Sequence, residues 1–190
     1  MKTLKALLGA VLLAAMPLAA QADDMSYSYI DLAYAEANLD PGPDGDGFAL
    51  RGSVGFAENF FAFAEYASYD FPASIDADLY NIGLGGRLGI SDNADLVGRV
   101  GYAHAKADAP GVSSVSDSGY LVSAGIRGRV AEGFELEGNV IYTDFGGTGG
   151  DDTALSVGGR YFFTPQLAVG AEYQASDDVD QWFAGVRFAF

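Results

Sequence analysis

The sequence has no cysteine and very few basic residues. Without cysteine, neither a disulfide framework nor a thiolate metal site is available. Lysine and arginine total 10 against 26 aspartates and glutamates, so we expect no nucleic-acid partner, because phosphate binding requires basic surface. Beyond the N-terminal region there is no apolar run near the roughly 20 residues that a membrane-spanning helix needs.

The N-terminal region has the organisation of a secretory signal peptide. Two lysines precede an apolar run from Ala6 to Ala19, and Ala20-Gln21-Ala22 forms an A-x-A cleavage site. The run is too short for a spanning helix. We therefore predict a signal peptide over residues 1–22 and a single mature domain over 23–190. Removing the signal takes away two lysines and no acidic residue, which changes the formal net charge from −16 to −18.

Most of the mature chain alternates large apolar residues with small or polar ones. This period of two, interrupted by clusters of Gly, Asp, Asn, Ser and Pro, is typical of successive antiparallel strands. We predict an all-β fold of ten strands, with eight as the alternative if one strand has been divided. The predicted strands cover residues 26–37, 47–56, 60–69, 76–90, 94–106, 118–130, 134–144, 153–163, 167–175 and 181–190.

The connections between these strands alternate in length. Three-residue turns, such as Ala57-Glu58-Asn59, follow the even-numbered strands, whereas longer loops, such as Leu39 to Asp46 and Asp108 to Asp117, follow odd-numbered ones. Short turns at one end and longer loops at the other are typical of an antiparallel transmembrane β-barrel whose short turns face the periplasm.

The short turns also predict which residues share a face of the sheet, because residues flanking such a turn lie opposite one another. On this register every arginine of the mature chain lies on the face opposite the large apolar residues: Arg51, Arg87, Arg99, Arg127, Arg129, Arg160 and Arg187. The facing positions predict four arginine–carboxylate neighbours in the lumen: Arg51 with Glu65, Arg127 with Glu137, Arg129 with Glu135 and, diagonally, Arg160 with Glu172.

A charged inner face and an apolar outer face are stable only where lipid is the outer solvent. The alternative is a soluble, lipocalin-like barrel with the faces inverted. Aromatic girdles at both ends of the apolar face favour the membrane barrel. Phenylalanines mark the short-turn ends. The girdle at the long-loop ends comprises Tyr66, Tyr80, Tyr102, Tyr120, Tyr142 and Tyr173. We therefore expect a monomer in the outer membrane, in contact with its lipid and lipopolysaccharide.

Two features resemble known families. The last strand, with alternating Trp182, Val186, Phe188 and a terminal Phe190, resembles the signal that the barrel-assembly machinery reads in outer-membrane barrels. The whole mature chain resembles the small outer-membrane β-barrel superfamily that includes OmpX- and OmpA-type barrels. This resemblance implies insertion by the assembly machinery and a barrel fold.

Three short motifs resemble a narrower family, that of outer-membrane proteins regulated by diffusible signal factor. They are Ser26-Tyr27-Ser28-Tyr29, Tyr142-Thr143-Asp144 and Gly185-Val186-Arg187.

No candidate active site emerges from the sequence. His104, the only histidine, is predicted to face outward beside Lys106, and no serine adjoins it in sequence. The acidic loops predict at most weak Ca²⁺ or Mg²⁺ binding, and no cofactor is expected. We therefore predict a structural or surface-interaction barrel with a polar, largely plugged lumen. A small channel and a barrel enzyme are the alternatives.

Overall fold

The computed structural model describes residues 25–146 and 150–190, and its strands form a single closed antiparallel barrel. Each strand pairs with its neighbours in sequence, and the first pairs with the last. Ten strands are thereby confirmed. In chain order they are β1 Tyr29–Leu39, β2 Asp44–Ala57, β3 Phe60–Phe71, β4 Ile75–Ser91, β5 Ala94–Asp108, β6 Val115–Ala131, β7 Phe134–Phe145, β8 Gly150–Phe162, β9 Leu167–Ala175 and β10 Val179–Ala189.

The predicted signal peptide, residues 1–22, lies outside the described residues and stays a prediction. Within the described ranges, no helix is long and apolar enough to cross a membrane.

The two faces of the sheet differ sharply in chemistry. The outward face carries large apolar side chains such as Ile82, Leu88 and Val157, all of which are well exposed. The inward face carries the arginines, of which Arg127 and Arg187 are buried. Because successive residues of a strand point to opposite faces, the period of two in the sequence produces this separation directly.

The short turns set the strand register that the sequence predicts. Val54 faces Ala62 across the β2–β3 ladder, and Arg129 faces Glu135 across the β6–β7 ladder. Each of these hairpins also contains a bulge next to its turn. In the β6–β7 turn, Gly133 has a φ of 70°, a conformation that glycine adopts at no steric cost.

The loops at the opposite end are shorter than the sequence predicts, because the strands extend beyond the apolar band. β4 and β6 each have 17 residues, and only residues 109–114 separate β5 from β6. Polar side chains can face water on both sides of a strand that projects beyond the membrane. The apolar pattern therefore ends before the strand does. We refer below to the short-turn end and the long-loop end of the barrel.

Leu84 tests whether the outer face contacts lipid. It points outward near the middle of β4, with 55% of its surface exposed. We expect Leu84→Arg to lower the free energy of unfolding in lipid vesicles by about 2–4 kcal/mol, because the charge lies near the bilayer centre. Unfolding of the vesicle-inserted protein in increasing guanidinium chloride measures this free energy. Val112→Arg, at a loop residue that is 70% exposed, is the control and should change it little. Equally small changes in the free energy of unfolding for Leu84→Arg and Val112→Arg would contradict a wall that faces lipid.

Candidate functional site in the lumen

Arginine side chains cross the barrel interior to reach carboxylates on strands that are not their neighbours. Arg51 Nη1 on β2 donates to Glu172 Oε2 on β9 at 2.7 Å. Arg99 on β5 lies 3.4 Å from Glu65 on β3 and 3.3 Å from Glu137 on β7. Since β2 and β9 share no ladder, these contacts are made through the lumen and connect separate parts of the wall.

Glu135 is the most enclosed carboxylate of this network, with 1% of its surface exposed. Arg127 donates to its Oε2 atom from Nε at 3.0 Å and from Nη2 at 2.7 Å. Arg160 Nη1 lies 3.7 Å from the same oxygen, and Arg129 Nη2 lies 3.8 Å from Oε1. One buried carboxylate therefore lies within 4 Å of three guanidinium groups, and its negative charge balances that of Arg127, the closest of them.

The seam that closes the barrel contains a further ion pair. Asp31 on β1 directly faces Arg187 on β10. Arg187 donates to both carboxylate oxygens, from Nε at 2.7 Å and from Nη2 at 2.6 Å. Its guanidinium also lies 3.5 Å from the centre of the Tyr29 ring. A bidentate pair of this kind is strong and geometrically specific.

Most of the predicted ion pairs were wrong although the register is right. Arg51 faces Glu65 and Arg127 faces Glu137 in the ladders, but both guanidiniums bind other carboxylates. The predicted diagonal pair of Arg160 with Glu172 is replaced by Arg160 with Glu137 at 3.1 Å. Long side chains on a narrow inner surface converge, so facing positions alone do not determine which charges meet. The predicted pair of Arg129 with Glu135 does form.

Two lumen carboxylates escaped the sequence prediction. Asp31 pairs with Arg187, and Asp95 lies 3.4 Å from Arg87. The alternation of residues could have found Asp95, which lies four positions before Arg99 and hence on the same face. The inward position of Asp31 follows from the alternation too, since it lies three residues before the outward-facing Tyr34, but its pairing with Arg187 requires the β1–β10 register, which no turn reveals.

The lumen is not uniformly polar, which corrects a second expectation. Near the long-loop end a buried apolar cluster fills the interior, formed by Ala35, Ala37, Ala49, Tyr69 and Phe183. We call it the upper cluster. A second buried cluster extends from the short-turn end along the β3–β6 wall, formed by Met25, Tyr27, Phe61, Phe63, Val97, Ala103 and Leu121. We call it the lower cluster.

The chain preceding β1 also lies inside the barrel. We call residues Met25–Ser28 the N-terminal segment; the sequence predicted it to begin a strand. The Tyr27 hydroxyl donates to Asp95 Oδ2 at 2.8 Å, and Arg127 Nη1 donates to the Ser26 carbonyl at 2.9 Å. A phenol is protonated at neutral pH, so the Tyr27 hydroxyl acts as the donor to the Asp95 carboxylate.

A cavity of about 50 Å³ lies within the charged part of the lumen, enough room for a few water molecules. Its charged lining consists of Asp31, Arg51, Arg160, Glu172 and Arg187. Buried water is therefore expected to hydrate guanidinium atoms that lack a protein partner.

The outer surface carries the aromatic residues predicted to form a girdle. Tyr66 and Tyr80 pack with ring centres 4.8 Å apart, as do Tyr120 and Tyr142 at 6.2 Å. Tyr102, Tyr173 and Trp182 lie on the same face, and the Tyr173 and Trp182 ring centres are 4.4 Å apart.

Val186, Phe188 and Phe190 of the predicted assembly signal lie lower on β10 and at its end. Val186 and Phe188 are well exposed, and the Phe188 and Phe190 ring centres are 6.4 Å apart.

His104 does have a serine beside it, contrary to expectation from sequence proximity. Ser118 faces His104 across the β5–β6 ladder, and its Oγ lies 2.8 Å from His104 Nδ1. The Tyr102 hydroxyl donates to the same Oγ at 2.7 Å. Lys106 pairs with Asp108 at 2.5 Å.

Among residues 25–146 and 150–190, no three His, Cys, Asp or Glu side chains are grouped so as to hold a metal ion. The predicted divalent-cation binding at the acidic loops therefore has no preformed site there and stays a prediction.

A closed barrel with an apolar outer wall and paired charges inside defines the class of transmembrane outer-membrane β-barrels. The family model for the outer membrane protein beta-barrel domain matches residues 6–157, and the chain belongs to this family. It is an outer-membrane protein, as its resemblance to small barrels of this kind implies. The narrower resemblance to the family regulated by diffusible signal factor stays a prediction. No curated protein sequence matches the chain.

Solved barrels are similar to the chain at low sequence identity, and the NanC porin shares its fold. The NanC porin is 11% identical, with 85% of this chain and 100% of that chain covered and a TM-score of 0.51. The attachment invasion locus protein Ail of Yersinia pestis is 18% identical, with 87% and 100% covered and a TM-score of 0.47. The N-terminal β-barrel domain of Pseudomonas aeruginosa OprF is 10% identical, with 87% and 100% covered and a TM-score of 0.47.

Glu135 tests the energetic importance of the lumen network. We expect Glu135→Gln to lower the free energy of unfolding by about 3–5 kcal/mol, because it leaves buried guanidiniums without their shared carboxylate. Glu132→Gln, at an exposed residue in the adjacent turn, removes the same charge and should stay within about 0.5 kcal/mol of the native value. Denaturant titration in lipid vesicles compares the two. Equal free energies of unfolding for the two variants would show that the lumen network contributes little to stability.

Proposed function

We propose that this protein is a closed structural barrel of the outer membrane that contributes to envelope integrity and does not conduct ions. The observation that carries the proposal is the filling of the lumen at two levels. Tyr69 of the upper cluster is 2% exposed and Phe61 of the lower cluster is 1% exposed. Side chains packed to this degree favour a lumen without a continuous water path between the two ends.

Conduction would also require the charge network to open. An ion passing through the lumen would have to separate pairs such as Arg51–Glu172 and Arg127–Glu135, whose atoms lie 2.7 Å apart. Separating a buried pair exposes each charge to a medium that solvates it poorly. Aqueous channels are moreover typical of barrels with more strands than ten.

The short connections at the long-loop end favour envelope integrity over a large binding surface. Residues 40–43, 72–74, 109–114 and 176–178 separate the strands there. Loops of this length offer little contact area to a partner. We infer that the main partners are outer-membrane lipid and lipopolysaccharide, that the protein acts as a monomer, and that the barrel-assembly machinery inserts it through β10.

We assign no enzymatic activity to the outward-facing histidine. Ser118 Oγ is shared between His104 and the Tyr102 hydroxyl. Within the described part of the chain, no carboxylate is hydrogen-bonded to His104, so the imidazole lacks the group that would orient it as a general base. The alternative role for these side chains is a polar contact with lipid headgroups.

Planar-bilayer recording tests the closed lumen. We expect the purified protein to give no stable conductance steps at concentrations where a general porin, as a positive control, gives them readily. Arg99→Ala removes a side chain that bridges two carboxylates and is the lumen variant to compare. Stable steps in the native protein that change or disappear in Arg99→Ala would overturn the proposal and favour a small channel.

A further inference from the structure

The N-terminal segment lies in the lumen, where its tyrosine contacts groups of the wall on several sides. The Tyr27 ring stacks on Phe61 with centres 5.0 Å apart. The guanidiniums of Arg87 and Arg127 lie 5.3 and 4.9 Å from the ring centre. The hydroxyl donates to Asp95. Stacking, cation–π contacts and a charge-assisted hydrogen bond thus act on one side chain.

The rest of the N-terminal segment is held by a few hydrogen bonds to the wall, one of which, from the Phe190 backbone N–H to the Ser28 carbonyl at 3.0 Å, adjoins the β1–β10 ladder. Ser53 Oγ donates to the Tyr27 carbonyl at 2.7 Å, and the Gly55 backbone N–H donates to Ser28 Oγ at 3.0 Å. The strands, by contrast, are joined by continuous ladders around the closed barrel. The segment is therefore the part of the lower lumen that can leave with the loss of only one backbone hydrogen bond to the sheet, at the end of the β1–β10 ladder.

The lumen charges remain paired without the segment. Asp95 retains Arg87 at 3.4 Å, and Arg127 retains Glu135 at 2.7 Å. Departure of Tyr27 would thus expose ion pairs to water rather than leave unpaired buried charges. The cost of opening consists mainly of the contacts of the segment itself.

We propose that Met25–Ser28 is a removable plug that seals the periplasmic, short-turn entrance of the lumen. Its release would open the lower lumen to small solutes, as far as the upper cluster, where Tyr69 and Phe183 come from strands that are not neighbours. The proposal extends the proposed function, since it treats the barrel as closed by two separate seals. One of these belongs to the wall, and the other is a detachable piece of the same chain.

Thiol labelling can test the plug because the chain has no cysteine of its own. Val97 faces the lumen in the lower cluster and is 3% exposed. A small charged methanethiosulfonate reagent is applied to Val97→Cys in lipid vesicles, with and without the second change Tyr27→Ala. We expect labelling at least about tenfold faster in the double variant, because a buried thiol reacts only once it is accessible.

Two further variants show what the plug does and does not control. Tyr27→Phe keeps the ring and loses only the bond to Asp95, so Val97→Cys should stay protected in that background. Ala49→Cys, buried in the upper cluster, should stay protected both with the native Tyr27 and with Tyr27→Ala. Resistance of the barrel to unfolding in sodium dodecyl sulfate without heating confirms that each variant is folded.

The labelling outcomes decide the proposal directly. Equal protection of Val97→Cys with and without the Tyr27→Ala change would overturn it, and so would rapid labelling with the native tyrosine. Conductance is recorded separately on the native chain. Absence of stable current together with equal labelling of the two Val97→Cys variants would overturn the plug but leave the proposed closed function standing, because the upper cluster would then close the lumen by itself.

Discussion

The whole structure depends on the requirement that every backbone N–H and C=O facing lipid finds a partner within the protein. An unpaired backbone group in the bilayer core costs several kcal/mol, so a sheet can span the membrane only if its edges join. Here β1 and β10 meet along eleven consecutive residue pairs, and Asp31 with Arg187 adds a bidentate ion pair to that seam. Closure then confines the inward side chains to a narrow space.

That confinement explains the mixed chemistry of the lumen. Guanidiniums removed from bulk water carry a large desolvation cost unless carboxylates surround them. Glu135 and Glu137 each lie close to more than one guanidinium, so a small number of carboxylates offsets the desolvation cost of several arginines. Buried apolar side chains of the upper and lower clusters flank this charged centre.

The sequence predicted the fold well and the site only in part. The number of strands, their arrangement as a closed barrel and the register of the hairpins followed from the period of two and from the short turns. Both patterns are local properties of the sequence. The ion-pair partners did not follow, because Arg51 and Glu172 meet across the lumen at a distance that no local pattern encodes. The alternation of Ser26-Tyr27-Ser28-Tyr29 predicts a strand for the N-terminal segment, whereas Tyr27 bonds to the Asp95 side chain and only the Ser28 carbonyl, through the Phe190 N–H, continues the β1–β10 pairing.

The position of the single tryptophan has a practical consequence for spectroscopy. Trp182 lies on the lipid-facing side of β10, the strand that completes the wall, and its ring centre is 4.4 Å from that of Tyr173. Indole emission shifts to shorter wavelength when the ring leaves water. The native fluorescence therefore reports the arrival of the final strand in the bilayer without any introduced label.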